Sequence, residues 1–165
     1  MAEKQLYILA GYDAETEERL NAIQNALYAD GFTGTQTKGI PMHITMGCFP
    51  TDGEDALKEH VRNVAAKTAP WEIEFSHAGL FAGANVLFIA PDCSERMLRF
   101  KDQLQPEQGW TPHNTVLIDT PETVYRALPK VMEMFRPFRG TVTKLYLYEF
   151  WPTRHILTAE LGKDV

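Results

Sequence analysis

Pro41-Met42-His43-Ile44-Thr45-Met46-Gly47-Cys48-Phe49 has a counterpart 70 residues later in the chain, Trp110-Thr111-Pro112-His113-Asn114-Thr115-Val116-Leu117-Ile118. Both stretches place a Pro shortly before a His-x-Thr triplet, and strand-forming apolar residues follow. In a β-strand, residues i and i+2 share a face, so His43 and Thr45 should project together, and so should His113 and Thr115. Each strand would then present one imidazole and one hydroxyl from the same face.

The opposite faces of these two strands are apolar, which predicts that they pack into a core. The residues on these faces are Met42, Ile44, Met46, Val116 and Ile118. Two such strands facing each other would bring two acid/base groups and two hydroxyl groups around one small volume.

The surrounding pattern repeats the same order of elements in each half of the chain. Strands are predicted at residues 6–12, 71–76, 85–90 and 145–150, in addition to the two His-x-Thr strands, and a returning strand at 155–161. Helices are predicted at residues 13–30, 52–68 and 93–104, with a fourth opening at 119–122 and ending by Pro137. The order is β-α-β-α-β-β-α-β-α-β-β, in which each His-x-Thr strand is followed by a helix and then by a strand pair.

This order predicts an α+β fold formed by one bilobal domain over residues 1–165. We expect two pseudo-symmetric α/β lobes with largely antiparallel sheets around a central cleft that carries the two His-x-Thr motifs.

Length and composition exclude several classes of protein. The 165 residues, 44% hydrophobic and 23% charged, are typical of one globular domain. A net charge of −6 disfavours binding to long nucleic acid, which requires a basic surface to displace counterions. We expect neither a membrane span nor a signal peptide, and hence a cytoplasmic monomer with no membrane partner. Cys48 and Cys93 are expected to be buried thiols in a reducing compartment.

The paired motifs resemble those of the 2H phosphoesterase superfamily, which includes bacterial 2′-5′ RNA ligases and RNA 2′,3′-cyclic phosphodiesterases. The resemblance covers nearly the whole chain in element order. It implies that His43 and His113 are the catalytic histidines, and that Thr45 and Thr115 bind the phosphate. Many members that act on RNA ends carry a basic residue three positions after the second Thr, where this chain has Ile118. That difference disfavours a polynucleotide substrate.

The residues themselves support this chemistry. Opening a cyclic phosphodiester with water requires a base for the water and an acid for the leaving alkoxide, and two histidines supply both near pH 7. Hydroxyl groups can stabilise charge on the non-bridging oxygens. No metal-binding motif is present, so we expect neither metal nor cofactor. The expected activity is hydrolysis of a 2′,3′-cyclic phosphate or a related cyclic or 2′-5′-linked nucleotide, and the resemblance also allows reversible 2′-5′ RNA ligation.

Three alternatives stay open from the sequence. The cleft could bind a nucleotide or an RNA end without turnover. The two histidines could hold a metal between the lobes, which is disfavoured because only two ligands are visible. They could also be buried core histidines.

The substrate, a small nucleotide or an RNA 3′ end, would need contacts beyond the phosphate. A nucleobase stacks on aromatic side chains, and Phe49, Tyr12 and Trp151 lie close enough in the predicted fold to provide one. Lys38, five residues before His43, is a candidate phosphate contact.

Overall fold

Seven β-strands and four α-helices follow one another in the predicted order in the computed structural model, which describes residues 3–162. In chain order they are β1 (Gln5–Tyr12), α1 (Ala14–Ala29), β2 (Ile44–Pro50), α2 (Glu54–Ala66), β3 (Trp71–Phe81), β4 (Val86–Pro91), α3 (Glu95–Leu104), β5 (Asn114–Ile118), α4 (Pro121–Met134), β6 (Phe138–Phe150) and β7 (Arg154–Glu160). A short 3₁₀ turn, Thr51–Gly53, precedes α2. The predicted α+β class is confirmed.

Local chemistry fixes where the helices begin and end. Asp13 caps α1 by accepting a hydrogen bond from the Thr16 N–H at 2.9 Å, as its position before the helix predicts. Ser94 caps α3 in the same way. After α1, Gly31 adopts a φ of 87°, a left-handed conformation in which glycine is favoured, and the chain turns away.

The strands form one antiparallel sheet in the order β2-β1-β6-β3-β4-β5, with β7 paired to β6. The two halves of the chain therefore share a sheet, whereas the sequence suggested one in each lobe. The 13-residue strand β6 joins the two halves. One of its edges pairs with β1, and its other edge pairs with β3 over the N-terminal part and with β7 over the rest.

The sheet curls until its two end strands, β2 and β5, approach each other. Side chains next to the two histidines meet there. The Tyr12 hydroxyl donates to Asn114 Oδ1 at 3.1 Å, and Asn114 Nδ2 lies 3.2 Å from Met42 Sδ. Because Met42 precedes His43 and Asn114 follows His113, these contacts tie the two motifs together from behind.

All four helices pack on one face of the sheet. Leu20, Val61, Phe100 and Val131, one from each helix, are buried in a single apolar cluster with residues from both halves. The other face carries two smaller apolar clusters, one around Leu9. Its concave surface is therefore available for a binding site.

Two further findings concern predicted properties. No helix in the described part of the chain is long and apolar enough to cross a membrane. Cys48 is half-buried and Cys93 is exposed, so the prediction of two buried thiols is wrong for Cys93.

Candidate active site

The imidazole of His43 is held by the backbone just before β2. Its Nδ1 lies 2.7 Å from the carbonyl oxygen of Pro41. A carbonyl only accepts hydrogen bonds, so Nδ1 must carry the proton and donate. In the neutral ring, Nε2 is then the nitrogen with a free lone pair, and it is the atom that can exchange a proton.

His113, just before β5, is held in the same way. Its Nδ1 lies 2.8 Å from the carbonyl oxygen of Thr111, which again leaves Nε2 for proton exchange. Phe81 and Phe88 pack together against the ring on one side, with centroids 4.7 and 5.5 Å from it and 4.5 Å from each other. A Cβ at Gly79 would lie 2.6 Å from the Phe88 ring, so the absence of a side chain at Gly79 lets that ring take its place beside His113.

Burial disfavours the charged form of both histidines. It lowers the pKa of His43 to about 4, with a smaller contribution from the charge of His113, while the bond to the Pro41 carbonyl acts in the opposite direction. Burial also lowers the pKa of His113, against the effect of its bond to the Thr111 carbonyl. The two imidazoles are close enough that a proton on one disfavours a proton on the other.

A β-bulge follows the threonine of each motif. In β2, Thr45 pairs with Leu9 and Gly47 with Ile8, so Met46 is the extra residue. In β5, Thr115 pairs with Phe88 and Leu117 with Leu87, so Val116 is the extra residue. Because a bulge adds one residue, every side chain beyond it changes face relative to a regular strand.

The bulges correct two predictions. Ile118 was expected to point into the packed layer together with Val116, but it lies on the cleft face with Thr115. Phe49 was expected on the face of His43, but it pairs with the buried Leu6 and packs against the helix-side core.

Two adjoining pockets on the concave face share Thr45. The first, called the aromatic pocket here, has a volume of about 230 Å³. Its walls include His43, Thr45, Thr115, Ile118, Tyr7, Phe150 and Trp151. The second, called the loop pocket, has a volume of about 500 Å³ and includes Thr45, Cys48, Gln105, Glu107, Trp110 and His113. The side chains of both motifs thus lie around one continuous cleft.

Two loops cross between the halves and close the ends of the cleft. The loop before His43 bonds to the end of β5, since the Thr35 N–H donates to the Ile118 carbonyl at 2.8 Å. The loop before His113 bonds to β2, since Trp110 Nε1 donates to the Thr45 carbonyl at 3.2 Å. Gln105 also bonds to both the N–H and the carbonyl of Cys48. Each loop therefore fixes the strand that bears the other motif.

The family model of the 2′-5′ RNA ligase superfamily matches residues 12–150, which include both motifs. The chain belongs to the 2′-5′ RNA ligase superfamily. This confirms the predicted relation to the 2H phosphoesterases. A search of curated proteins finds no match.

Several solved structures share this fold over nearly the whole chain. Escherichia coli LigT in its apo form aligns with a TM-score of 0.65 and 16% identity, covering 98% of this chain and 99% of LigT. LigT complexed with 3′-AMP aligns with a TM-score of 0.64 at 16% identity, covering 97% and 99%. TT0787 of Thermus thermophilus aligns with a TM-score of 0.63 at 13% identity, covering 98% and 100%. At these identities the likeness concerns the fold.

The other predicted site residues fall in different places. Trp151 lines the aromatic pocket and is 36% exposed. Tyr12 is buried, and its hydroxyl is bonded to Asn114 behind the motifs. It therefore does not line the cleft, contrary to the prediction. Lys38 is exposed, and its Nζ lies 5.9 Å from the centre of the Tyr28 ring, outside both pockets. A contact between Lys38 and the phosphate stays a prediction.

Sequence reasoning missed the main aromatic wall of the pocket. Phe150 stacks on Trp151 with ring centroids 4.6 Å apart, and Tyr7 lies 5.1 Å from Phe150. The alternation of Tyr146, Tyr148 and Phe150 along β6 was a usable signal, because such a stripe marks one face of a strand. What the sequence did not reveal is that this face is the concave one.

The two pockets differ in charge, because Glu107 lines the loop pocket whereas the aromatic pocket is uncharged apart from its histidine. None of the described residues lining the aromatic pocket is Lys, Arg, Asp or Glu. Within residues 3–162, no group of three or more His, Cys, Asp and Glu side chains is arranged to hold a metal ion.

Proposed function

We propose that this protein is a phosphodiesterase that uses His43 and His113 as an acid/base pair to hydrolyse a 2′,3′-cyclic phosphate or a related small cyclic or 2′-5′-linked nucleotide. The observation that carries the proposal is the matched anchoring of the two imidazoles. In both, Nδ1 donates to the carbonyl two residues earlier, so that Nε2 is the reactive nitrogen on each side of one cleft.

The reaction follows from two such nitrogens. One neutral imidazole takes a proton from water through Nε2 as the water oxygen bonds to phosphorus. The bond from phosphorus to one ribose oxygen breaks, and the second, protonated imidazole gives that oxygen its proton. The product is a phosphomonoester, and each proton transfer contributes roughly 10²–10⁴ in rate.

The hydroxyls of Thr45 and Thr115 are the proposed donors to the non-bridging oxygens. Both line the aromatic pocket, and Thr45 also lines the loop pocket. Donors already in place where negative charge develops stabilise the transition state without reorganisation.

The nucleoside is proposed to lie in the aromatic pocket. Trp151, Phe150 and Tyr7 offer ring faces for a base, and the lack of charged side chains there suits a ligand whose charge is confined to one phosphate. LigT, which shares the fold, has been solved with 3′-AMP, a mononucleotide of this size.

Turnover of 2′,3′-cyclic AMP, 2′,3′-cyclic CMP, a 2′-5′-linked dinucleotide and ADP-ribose cyclic phosphate, each with and without EDTA, tests this function. We expect hydrolysis of at least one substrate that EDTA does not reduce, and its loss in His43→Ala but not in His60→Ala, a change on the exposed face of α2. Binding without turnover would show a nucleotide-binding module instead. Activity that EDTA abolishes would contradict the metal-independent mechanism.

A further inference from the structure

One buried cation stands behind the loop that follows α3. The side chain of Lys101 on α3 is 2% exposed, although lysine side chains almost always keep their ammonium group in water. Burying a charge is costly unless the charge is paired and hydrogen-bonded. The groups that surround the Lys101 ammonium group are therefore the place to look for its role.

The ammonium group of Lys101 contacts three residues of that one loop. It donates a hydrogen bond to the Gln105 carbonyl. It also lies 3.2 Å from Glu107 Oε2 and 5.5 Å from the centre of the Trp110 ring. Because an ammonium group has three donors that point in different directions, a single cation can hold the loop at three positions.

The same loop pairs with the outer edge of β2. β2 is an end strand of the sheet, so β1 pairs with one of its edges and the other edge faces the loop. At this outer edge, Trp110 Nε1 donates to the Thr45 carbonyl at 3.2 Å. The Gln105 amide bonds to the N–H and the carbonyl of Cys48, at 3.0 and 2.8 Å. The loop thus satisfies backbone groups that an end strand leaves unpaired.

These bonds enclose the bulge that decides where the Thr45 side chain points. Met46, the extra residue of the bulge, lies between the Trp110 bond at Thr45 and the Gln105 bonds at Cys48. A bulge interrupts the pairing of β2 with β1, so β2 depends there on the contacts at its outer edge. Thr45 lines both pockets of the cleft. The loop therefore supports β2 at the point where the cleft needs a fixed geometry.

We propose that Lys101 is a positioning residue for Thr45, acting through Gln105 and Trp110 by holding their loop against the outer edge of β2. The consequence for turnover rests on the proposed function, in which the Thr45 hydroxyl donates to the phosphate. The effect on the loop is independent of any substrate.

Hydrogen exchange measured by NMR tests the loop without a substrate, at the Trp110 indole N–H and the Cys48 amide N–H. Lys101→Met keeps a long apolar side chain and removes the ammonium group. In this variant we expect both N–H groups to exchange at least roughly tenfold faster than in the wild type. The Thr141 N–H, which bonds to Thr16 Oγ1 between β6 and α1, should keep its exchange rate.

Two control variants separate the ammonium group from its surroundings. Lys130→Met, on α4, removes an ammonium group that pairs with Asp30 at 3.3 Å, and it should change neither rate. Glu107→Gln keeps an oxygen beside Lys101, and the Glu107 side chain is 54% exposed, so both rates should change by less than about twofold. Unchanged exchange in Lys101→Met, or an equal increase at the Thr141 N–H, would overturn the proposal.

Turnover tests the link from the loop to Thr45. Lys101→Met should lower kcat roughly tenfold and change KM less, because a misplaced hydroxyl stabilises the transition state less well. In a Thr45→Val background the same change should lower kcat much less, since the hydroxyl that it misplaces is already absent. An unchanged kcat, or an equal fall in both backgrounds as a loss of folded protein would produce, contradicts this link.

Trp110→Phe provides the same test if Lys101→Met does not fold. It removes the N–H that bonds to the Thr45 carbonyl and keeps an aromatic ring beside Lys101. Its kcat should fall in the wild-type background and fall less in Thr45→Val, and an unchanged kcat would overturn the proposal. A wild type without turnover would refute the proposed function, whereas hydrogen exchange would still decide the role of Lys101 in the loop.

Discussion

Replacing His43 by Asn should make the fold more resistant to acid while activity is lost. Burial holds the pKa of His43 at about 4 in the folded protein, against about 6.5 for an ordinary histidine in the unfolded chain. The folded state therefore binds fewer protons than the unfolded state between these values. The stability that this group contributes is complete above pH 6.5 and is lost as the pH falls towards 4.

The size of the effect follows from the shift. One pKa unit corresponds to 1.36 kcal/mol, so acidification from pH 7.5 to 4.5 should remove roughly 2–3 kcal/mol of unfolding free energy through His43 alone. The Asn side chain keeps an N–H near the position of His43 Nδ1, which can donate to the Pro41 carbonyl. It does not take up a proton in this pH range.

Urea denaturation followed by circular dichroism at both pH values measures this difference. The unfolding free energy lost between pH 7.5 and 4.5 should be smaller in His43→Asn than in the wild type by roughly 2–3 kcal/mol. The loss in His60→Asn should resemble that in the wild type. Equal losses in His43→Asn and the wild type would refute the claim that His43 is held neutral by burial.

Other predictions concern the cleft and its supports. The pH profile of kcat/KM should be bell-shaped and displaced to the acid side, with its alkaline limb below pH 6.5, because burial lowers the pKa of both histidines; an alkaline limb above pH 8 would contradict this. Trp151→Ala should raise KM for a nucleotide more than it lowers kcat, whereas Phe49→Ala, outside the cleft, should leave KM unchanged. Steady-state kinetics on both folded variants test these two expectations. Asn114→Leu should lower the unfolding free energy by about 1–3 kcal/mol, measured in urea, since the buried Tyr12 hydroxyl loses its acceptor; an unchanged value would show that this bond contributes nothing.

The order of elements could be predicted from the sequence because each element carries its own local signal. Asp13 and Gly31 mark the ends of α1, and the apolar alternation marks strands at 71–76 and 145–150, although β3 continues to Phe81 and β6 already begins at Phe138. The His-x-Thr faces were also predictable, since Met42, Ile44 and Met46 are all buried on the opposite side.

The two bulges could not be predicted, and they account for the misplaced Phe49 and Ile118. A bulge depends on how β2 pairs with β1 and β5 with β4, which is long-range information that a single strand does not contain. The same holds for the continuous sheet, which exists because β6 reaches across both halves.

The central claim, that His43 and His113 act together on one phosphate, is tested most directly by kcat for a 2′,3′-cyclic nucleotide in His43→Ala, His113→Ala and the double variant. Each single change should lower kcat by roughly 10² or more. The double variant should lose much less than the product of the two single losses, because groups that act as a unit are not additive. Full activity in either single variant, with the fold intact, would contradict the account.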